Sequence, residues 1–400
     1  MKRIFLGLMA VLLTACGASN RHYAPAPAFS LQVAAVQKND CREEIFAQVA
    51  AAAEKYGAVG VQVAVMEKGE VTQCFAWGWA TKDTVPMTPW HKIRVASLSK
   101  LPVGIAAHLL REEGTVVLEE QIGTYWGVNT QRPVTLQQIL THTSPLRAFG
   151  TATSRDYRGV LRRLETGGFT DARPGNMEDW YYNNYAFGVL GMTLELASGQ
   201  TLDSLLQRRL FAKMDIDAAF AGGDLQRKDL IATLYRSGGQ VARTAQMQST
   251  MTRDKTPGAT GTYFAGGFLC SAYDFAKLLS LLANDGYYKG LPLLSAQSVA
   301  LMESCAGKPS GQEFYQASPM RCREGLFGRQ KMFYHTGSAY GVYHCASYDP
   351  DSGDGVVVLT TGARGSKDSS GIYSICAQLS DSIYRTLSEN RDAEEAANIF

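Results

Sequence analysis

A chain of 400 residues, 46% hydrophobic and 19% charged, has ample apolar material for a core, in one large domain or two smaller ones. Its 39 Lys and Arg against 37 Asp and Glu leave a formal charge of +2, spread along the sequence, which excludes the basic footprint of a nucleic-acid binder. There is no phosphate-cradling glycine loop, no Cys-x-x-Cys and no His-Glu-x-x-His, so nucleotide and metal chemistry have no support.

Lys2 and Arg3 precede an apolar run from Ile4 to Leu13. The run is too short to span a bilayer as a helix and has the layout of a secretory signal peptide. Leu13-Thr14-Ala15-Cys16 resembles the lipobox of bacterial lipoproteins. That likeness implies a signal peptide over 1–15, a lipidated Cys16, and lipid anchoring at the cell envelope. Gly17 suits the periplasmic face of the outer membrane in a Gram-negative cell. Residues 16–40 carry Pro25 and Pro27 without sustained periodicity and read as a tether. Seven cysteines follow, an odd number, so at least one thiol stays unpaired; Cys270, in an apolar run, is the candidate. Cys305 with Cys322 and Cys41 with Cys74 are conceivable pairs, since spacing does not give connectivity.

Asp40 and Glu43 suggest a capping-box variant opening a helix with an apolar stripe of Ile45, Val49, Ala52 and Tyr56, stopped at Gly57. Val59 to Val65 alternates as a strand, Lys68-Gly69 turns, and Val71 to Trp79 returns. Helices then dominate: one from near Ser97 to Gly114, a short one over Leu136 to Leu140, then Leu190 to Ala197 and Leu202 to Phe211. Residues 222–262 show no period and read as a surface excursion, and Phe275 to Leu282 is helical again. Strands come back at Lys331 to Thr336, Gly341 to Tyr348 and Val356 to Thr361. A last helix places Ile372, Cys376, Leu379, Ile383 and Leu387 on one face. Strands at both ends of the chain must share one sheet, with the helical middle as an inserted lobe and a cleft between. The expected fold is α+β: an α/β lobe over 41–96 and 265–400, and a helical lobe over 97–264.

Three short motifs carry the chemistry. Ser97 and Lys100, at the head of the helix before Val103 to Leu110, fall on one face. A serine hydroxyl needs a neighbouring base, and a lysine becomes one when burial lowers its pKa. Tyr182-x-Asn184 precedes the apolar run from Phe187, and His335-Thr336-Gly337-Ser338 ends a strand. The three motifs, 85 and 153 residues apart, resemble those of the serine β-lactamase and penicillin-binding-protein superfamily, closest to class C β-lactamases and the DD-peptidases and esterases related to them. Thr135 to Ser144, and Ala265-Gly266-Gly267 ahead of Ser271-Ala272-Tyr273-Asp274, resemble further segments of that family.

The resemblance implies an acyl-enzyme on Ser97, with Lys100 and Tyr182 sharing the removal of its proton, the order between them left open. Asn184 would orient Lys100 and the substrate. The backbone N–H groups of Ser97 and Ser338 would form the oxyanion hole, and His335, Thr336 and Gly337 would line the strand along which the substrate lies. No metal or organic cofactor is implied. His142 and His344 lie outside the motifs and read as structural, and Arg364 and Lys367 as solvated loop charges. Departures are His335 where class C enzymes have lysine, Pro102 early in the helix, Pro145 after His-Thr-Ser, and Asn183 inside the second motif. The expected activity is that of a penicillin-binding DD-peptidase or peptide hydrolase acting on cell-wall D-amino-acid peptides. The alternatives are an esterase or β-lactamase on the same scaffold, and an idle envelope binding protein.

Overall fold

The computed structural model describes residues 28–32, 41–149 and 156–398. Cys16, the signal-like segment and most of the expected tether lie outside them. Nine strands form one antiparallel sheet: β1 (Ala28–Gln32), β2 (Gly60–Glu67), β3 (Glu70–Thr81), β4 (Val85–Pro86), β5 (Tyr315–Gln316), β6 (Arg321–Glu324), β7 (Lys331–Ala339), β8 (Val342–Tyr348) and β9 (Gly355–Thr361). The spatial order is β1-β3-β2-β9-β8-β7-β6-β5, with β4 on β3. N-terminal and C-terminal strands meet where β2 pairs with β9, Val63 opposite Val358. Each half alone would expose a row of unpaired backbone groups at that seam.

Two helices from opposite ends of the chain, α1 (Arg42–Tyr56) and α5 (Ser374–Asn398), cover one face of the sheet. They bury Ile45, Val49, Leu379 and Ile383 against Val61, Val63, Val65 and Val358. The other face meets α4 (Ala272–Ala283), α2 (Lys100–Glu112) and α3 (Asn184–Ser198) in one continuous core. Because both faces are covered, Val61, Val63, Ala64 and Val65 are all fully buried rather than alternately exposed. Each fully buried aliphatic side chain contributes about 1.5–3 kcal/mol.

Four expectations need correction. The tether is interrupted: residues 28–32 add to the outer edge of β3, Leu31 opposite Cys74, and satisfy backbone groups that β3 would leave unpaired. The first helix starts at Arg42 with Cys41 at its cap, and the Cys41 side chain makes no cap hydrogen bond; Asp40 lies outside the described residues. Cys41 and Cys74 pack on opposite faces of the sheet, so that pair is ruled out. The 222–262 excursion is anchored rather than superficial. Arg253, 4% exposed, pairs with Glu195 at 2.7 Å and Asp203 at 2.6 Å, and short strands at Leu234–Tyr235 and Val241–Arg243 pair with each other. Charged and polar letters hid that burial.

Candidate active site

The serine turn is held from behind. Ile93–Arg94 pairs with Leu269–Cys270, and the Val95 N–H donates to Phe268 O at 2.9 Å. Ala96 then adopts φ +50, a left-handed conformation uncommon for a residue with a Cβ. A short 3₁₀ turn, Ala96–Ser99, follows and runs directly into α2. The Ser99 hydroxyl fixes it, donating to Ala96 O at 2.6 Å and accepting from Phe268 N–H at 3.0 Å. Ser97 is left half-exposed at the head of the helix. Pro102 does not bend α2, because it falls in the first turn, where no backbone donor is needed.

Lys100 is completely buried, and among the described residues no carboxylate pairs with it. Its Nζ donates to Asn184 Oδ1 at 2.7 Å and to Ala265 O at 3.0 Å, and stands 4.7 Å from the centre of the Tyr182 ring. Burial, then repulsion from Arg321, lowers its pKa well below that of a free lysine. A neutral amine has two N–H groups, and both find acceptors here; its lone pair is the free vertex. Tyr182 hydrogen-bonds the Ser97 side chain, and burial pushes its pKa up to about 12. The shifts run in opposite directions, so the amine holds its proton less tightly than a free lysine and the phenol more tightly than a free tyrosine.

Asn183, the unusual letter of the second motif, caps α3. Its Oδ1 accepts from Ala186 N–H at 3.1 Å and its Nδ2 donates to Leu146 O at 2.6 Å. This cap holds Tyr182 just outside the helix and puts Asn184 at its first position.

The third motif lies on β7, which packs on the serine turn. A Cβ at Gly337 would sit 2.4 Å from Val95 O, so only glycine allows that approach. His335 is buried and its Nδ1 hydrogen-bonds Thr336 O at 2.8 Å. Burial, then Arg321 and Lys100, keep its pKa well below the usual imidazole value, so it supplies no fixed positive charge. Thr336 is half-exposed and Ser338 exposed at the end of the strand, where Tyr373 hydrogen-bonds the Ser338 side chain. The structure thus brings Ser97, Lys100, Tyr182, Asn184 and the 335–338 segment together.

Three neighbours of the site lie outside its three motifs. Arg321 on β6 pairs across the ladder with Tyr334, and its guanidinium lies 5.8 Å from the Tyr182 ring centre with no ion-pair partner among the described residues. His142, read as structural, packs 4.6 Å from the Tyr182 ring with φ +57. Its Nδ1 accepts from Asn183 N–H at 3.2 Å, while Nε2 is buried with no hydrogen-bond partner among the described residues. Tyr373 packs 4.6 Å from Tyr343 and walls the far side of the strand. A charge on the neighbouring strand and contacts set by a loop leave no motif. His344 does stay structural: Nε2 donates to Arg94 O at 3.0 Å and Nδ1 accepts from Thr360 N–H. Arg364 bonds Lys55 O, and Lys367 covers the Tyr373 ring. Among the described residues no cluster of His, Cys, Asp and Glu could hold a metal, and no helix is long and apolar enough to cross a membrane.

Comparison with known proteins adds a family match, two relatives by sequence and a solved structure of the same fold. The profile of the Beta-lactamase family matches residues 45–375. An uncharacterized protein of Mycobacterium tuberculosis is 25% identical over 283 residues, 61% of this chain and 67% of that one. A D-aminopeptidase of Brucella anthropi is 30% identical over 173 residues, covering 40% of this chain and 32% of its own length. The octameric penicillin-binding protein homologue from Pyrococcus abyssi has the same fold, with a TM-score of 0.69 at 18% identity, over 86% of this chain and 77% of that one.

Proposed function

The chain belongs to the beta-lactamase family of serine hydrolases, and from that premise we propose that it is a DD-peptidase or peptide hydrolase acting through acyl-Ser97 on peptides that end in a free carboxylate. Ser97 Oγ attacks the scissile carbonyl. Tyr182, whose hydroxyl bonds Ser97, and Lys100, whose pKa burial lowers, share the removal of its proton. The oxyanion is taken by the N–H groups of Ser97 and Ser338. The proton returns to the leaving amine, which departs, and water later releases the acyl group by the same route in reverse.

The observation that carries the substrate class is Arg321. His335 is neutral and cannot replace the lysine of class C enzymes, but Arg321, beside it and free of carboxylate partners, provides a fixed charge. A guanidinium grips a carboxylate through two parallel hydrogen bonds, with the Thr336 hydroxyl on the adjacent strand as a third donor. The D-aminopeptidase relative supports D-configured peptides as the substrate class. A lipidated Cys16 at the envelope would hold the domain near such material.

The test is incubation of the protein and its Ser97→Ala variant with labelled penicillin, a chromogenic cephalosporin, a nitrophenyl ester and a D-Ala-D-Ala peptide. Peptide turnover together with a persistent penicillin label on Ser97 is the expected result. Ester turnover alone makes it an esterase, rapid cephalosporin turnover a β-lactamase, and no reaction at all an idle binding protein.

A further inference from the structure

A second group of cations stands at the opposite end of β7 from Arg321. The strand ends in a tight turn at Tyr340 (φ +54) and Gly341 (φ +85), two residues beyond Ser338. The Arg94 guanidinium lies 5.0 Å from the Tyr340 ring centre and that of Arg243 lies 4.5 Å from it, with a side-chain hydrogen bond between Arg243 and Tyr340. Arg94 Nε also donates to Gly266 O at 2.7 Å, one residue beyond the carbonyl that holds Lys100.

Two guanidiniums thus share one ring, repel each other, and have no carboxylate partner among the described residues. Two other cations of this protein are neutralised: Arg253 by two carboxylates, Lys92 by Asp274 at 2.6 Å. The group is also rigid. Gly341 presses on Tyr235 O so closely that a Cβ would be 2.1 Å from it, and Leu234–Tyr235 is paired to the strand carrying Arg243. Such a preorganised pair is what a carboxylate subsite requires.

We propose that Arg94 and Arg243, clamped on Tyr340, form an anion subsite for the acyl half of the substrate, taking a carboxylate carried on the donor chain. The assignment rests on the peptidase reading, because a terminal carboxylate on Arg321 makes that end the leaving group and points the acyl half along β7 toward Tyr340. At roughly 3.3 Å per residue, Tyr340 lies about 7 Å past the oxyanion position, so the charge belongs several bonds beyond the scissile carbonyl.

The test compares glutaryl-D-Ala-D-Ala with the same peptide bearing a neutral amide in place of the glutaryl carboxylate. The expected kcat/KM ratio is about tenfold or more in favour of the acid, shrinking as salt is raised. In Arg243→Gln the ratio falls to about one, a readout that general loss of activity cannot mimic. Arg243→Lys, keeping a point charge without the fork, retains part of the preference. Equal turnover of both peptides by the unmodified protein, or a preference that survives Arg243→Gln, overturns the subsite and leaves the peptidase reading intact. Hydrolysis of neither peptide overturns both.

Discussion

A methyl group on Gly337 would fall 2.4 Å from the carbonyl oxygen of Val95. The third motif therefore reaches the serine turn only because this position has no side chain. Gly337→Ala must push β7 away, and with it the Ser338 N–H proposed for the oxyanion hole. The expected stability cost is about 1–3 kcal/mol, as for other overpacked sites. The expected loss in acylation of Ser97 is about a hundredfold or more. A variant that is acylated normally would show that β7 does not position the hole.

The pH profile separates the two candidate bases. The amine accepts a proton only when neutral, so kcat/KM should fall as pH drops through the Lys100 pKa and hold above it. Burial and Arg321 place that limb well below the usual lysine range, whereas the Tyr182 phenol, pushed up to about 12, titrates far above it. Removing the Arg321 charge relieves the repulsion, so Arg321→Gln should raise the Lys100 pKa and shift the acid limb to higher pH. A limb that stays put, or moves down, would assign it to another group.

The sequence was legible where chemistry and period coincide. The three motifs, the terminal helices and the strands around Val63 and Val357 all announce themselves, because a buried sheet needs β-branched runs and a helix needs a stripe. What stayed hidden depends on the third dimension. Arg321 is one arginine among many until β6 pairs beside β7 and sets it near Tyr182. The Arg253 cluster reads as solvated polar sequence but is buried. Asn183 looked like a flaw in the second motif and is a helix cap, a role that required knowing where α3 begins.

In the proposed reading Arg321 also decides substrate polarity. Arg321→Gln should lower kcat/KM for a peptide ending in a free carboxylate by about 10–100-fold, the range for losing a charge-assisted bidentate contact. The same peptide with a C-terminal amide should be a poor substrate for both proteins, so the acid-to-amide ratio collapses in the variant. A ratio unchanged by the substitution would mean that the carboxylate is bound elsewhere.

Asn183→Ala removes both the cap on α3 and the partner of the buried Leu146 carbonyl. Cap loss costs about 1 kcal/mol, and a stranded buried acceptor about 1–3 kcal/mol more. Denaturant unfolding should register a loss of about 2–4 kcal/mol. Asn183→Asp, which keeps the Oδ1 acceptor, should recover the cap but not the Leu146 contact. Equal destabilisation by both would place the whole effect on the Nδ2 donor.

Of the two cysteine pairings open in the sequence, geometry favours Cys305 with Cys322. Both thiols are free, their side chains hydrogen-bond each other, and the two residues line one pocket beside β6. That contact, ahead of opposing burial, lowers the exposed Cys305 thiol to about 7, so a good share is thiolate near neutral pH. With glutathione disulfide, Cys305 thiolate should form a mixed disulfide, and Cys322 should then displace glutathione to close the 305–322 loop. Mass spectrometry should find the loss of two hydrogens, and unfolding free energy should rise by about 3 kcal/mol for a loop of this size. The bond would pin β6 one residue from Arg321, so oxidation should leave kcat/KM for carboxylate-terminated peptides intact or higher. Glutathione that remains on Cys305 after prolonged incubation would show that the two sulfurs do not reach bonding geometry.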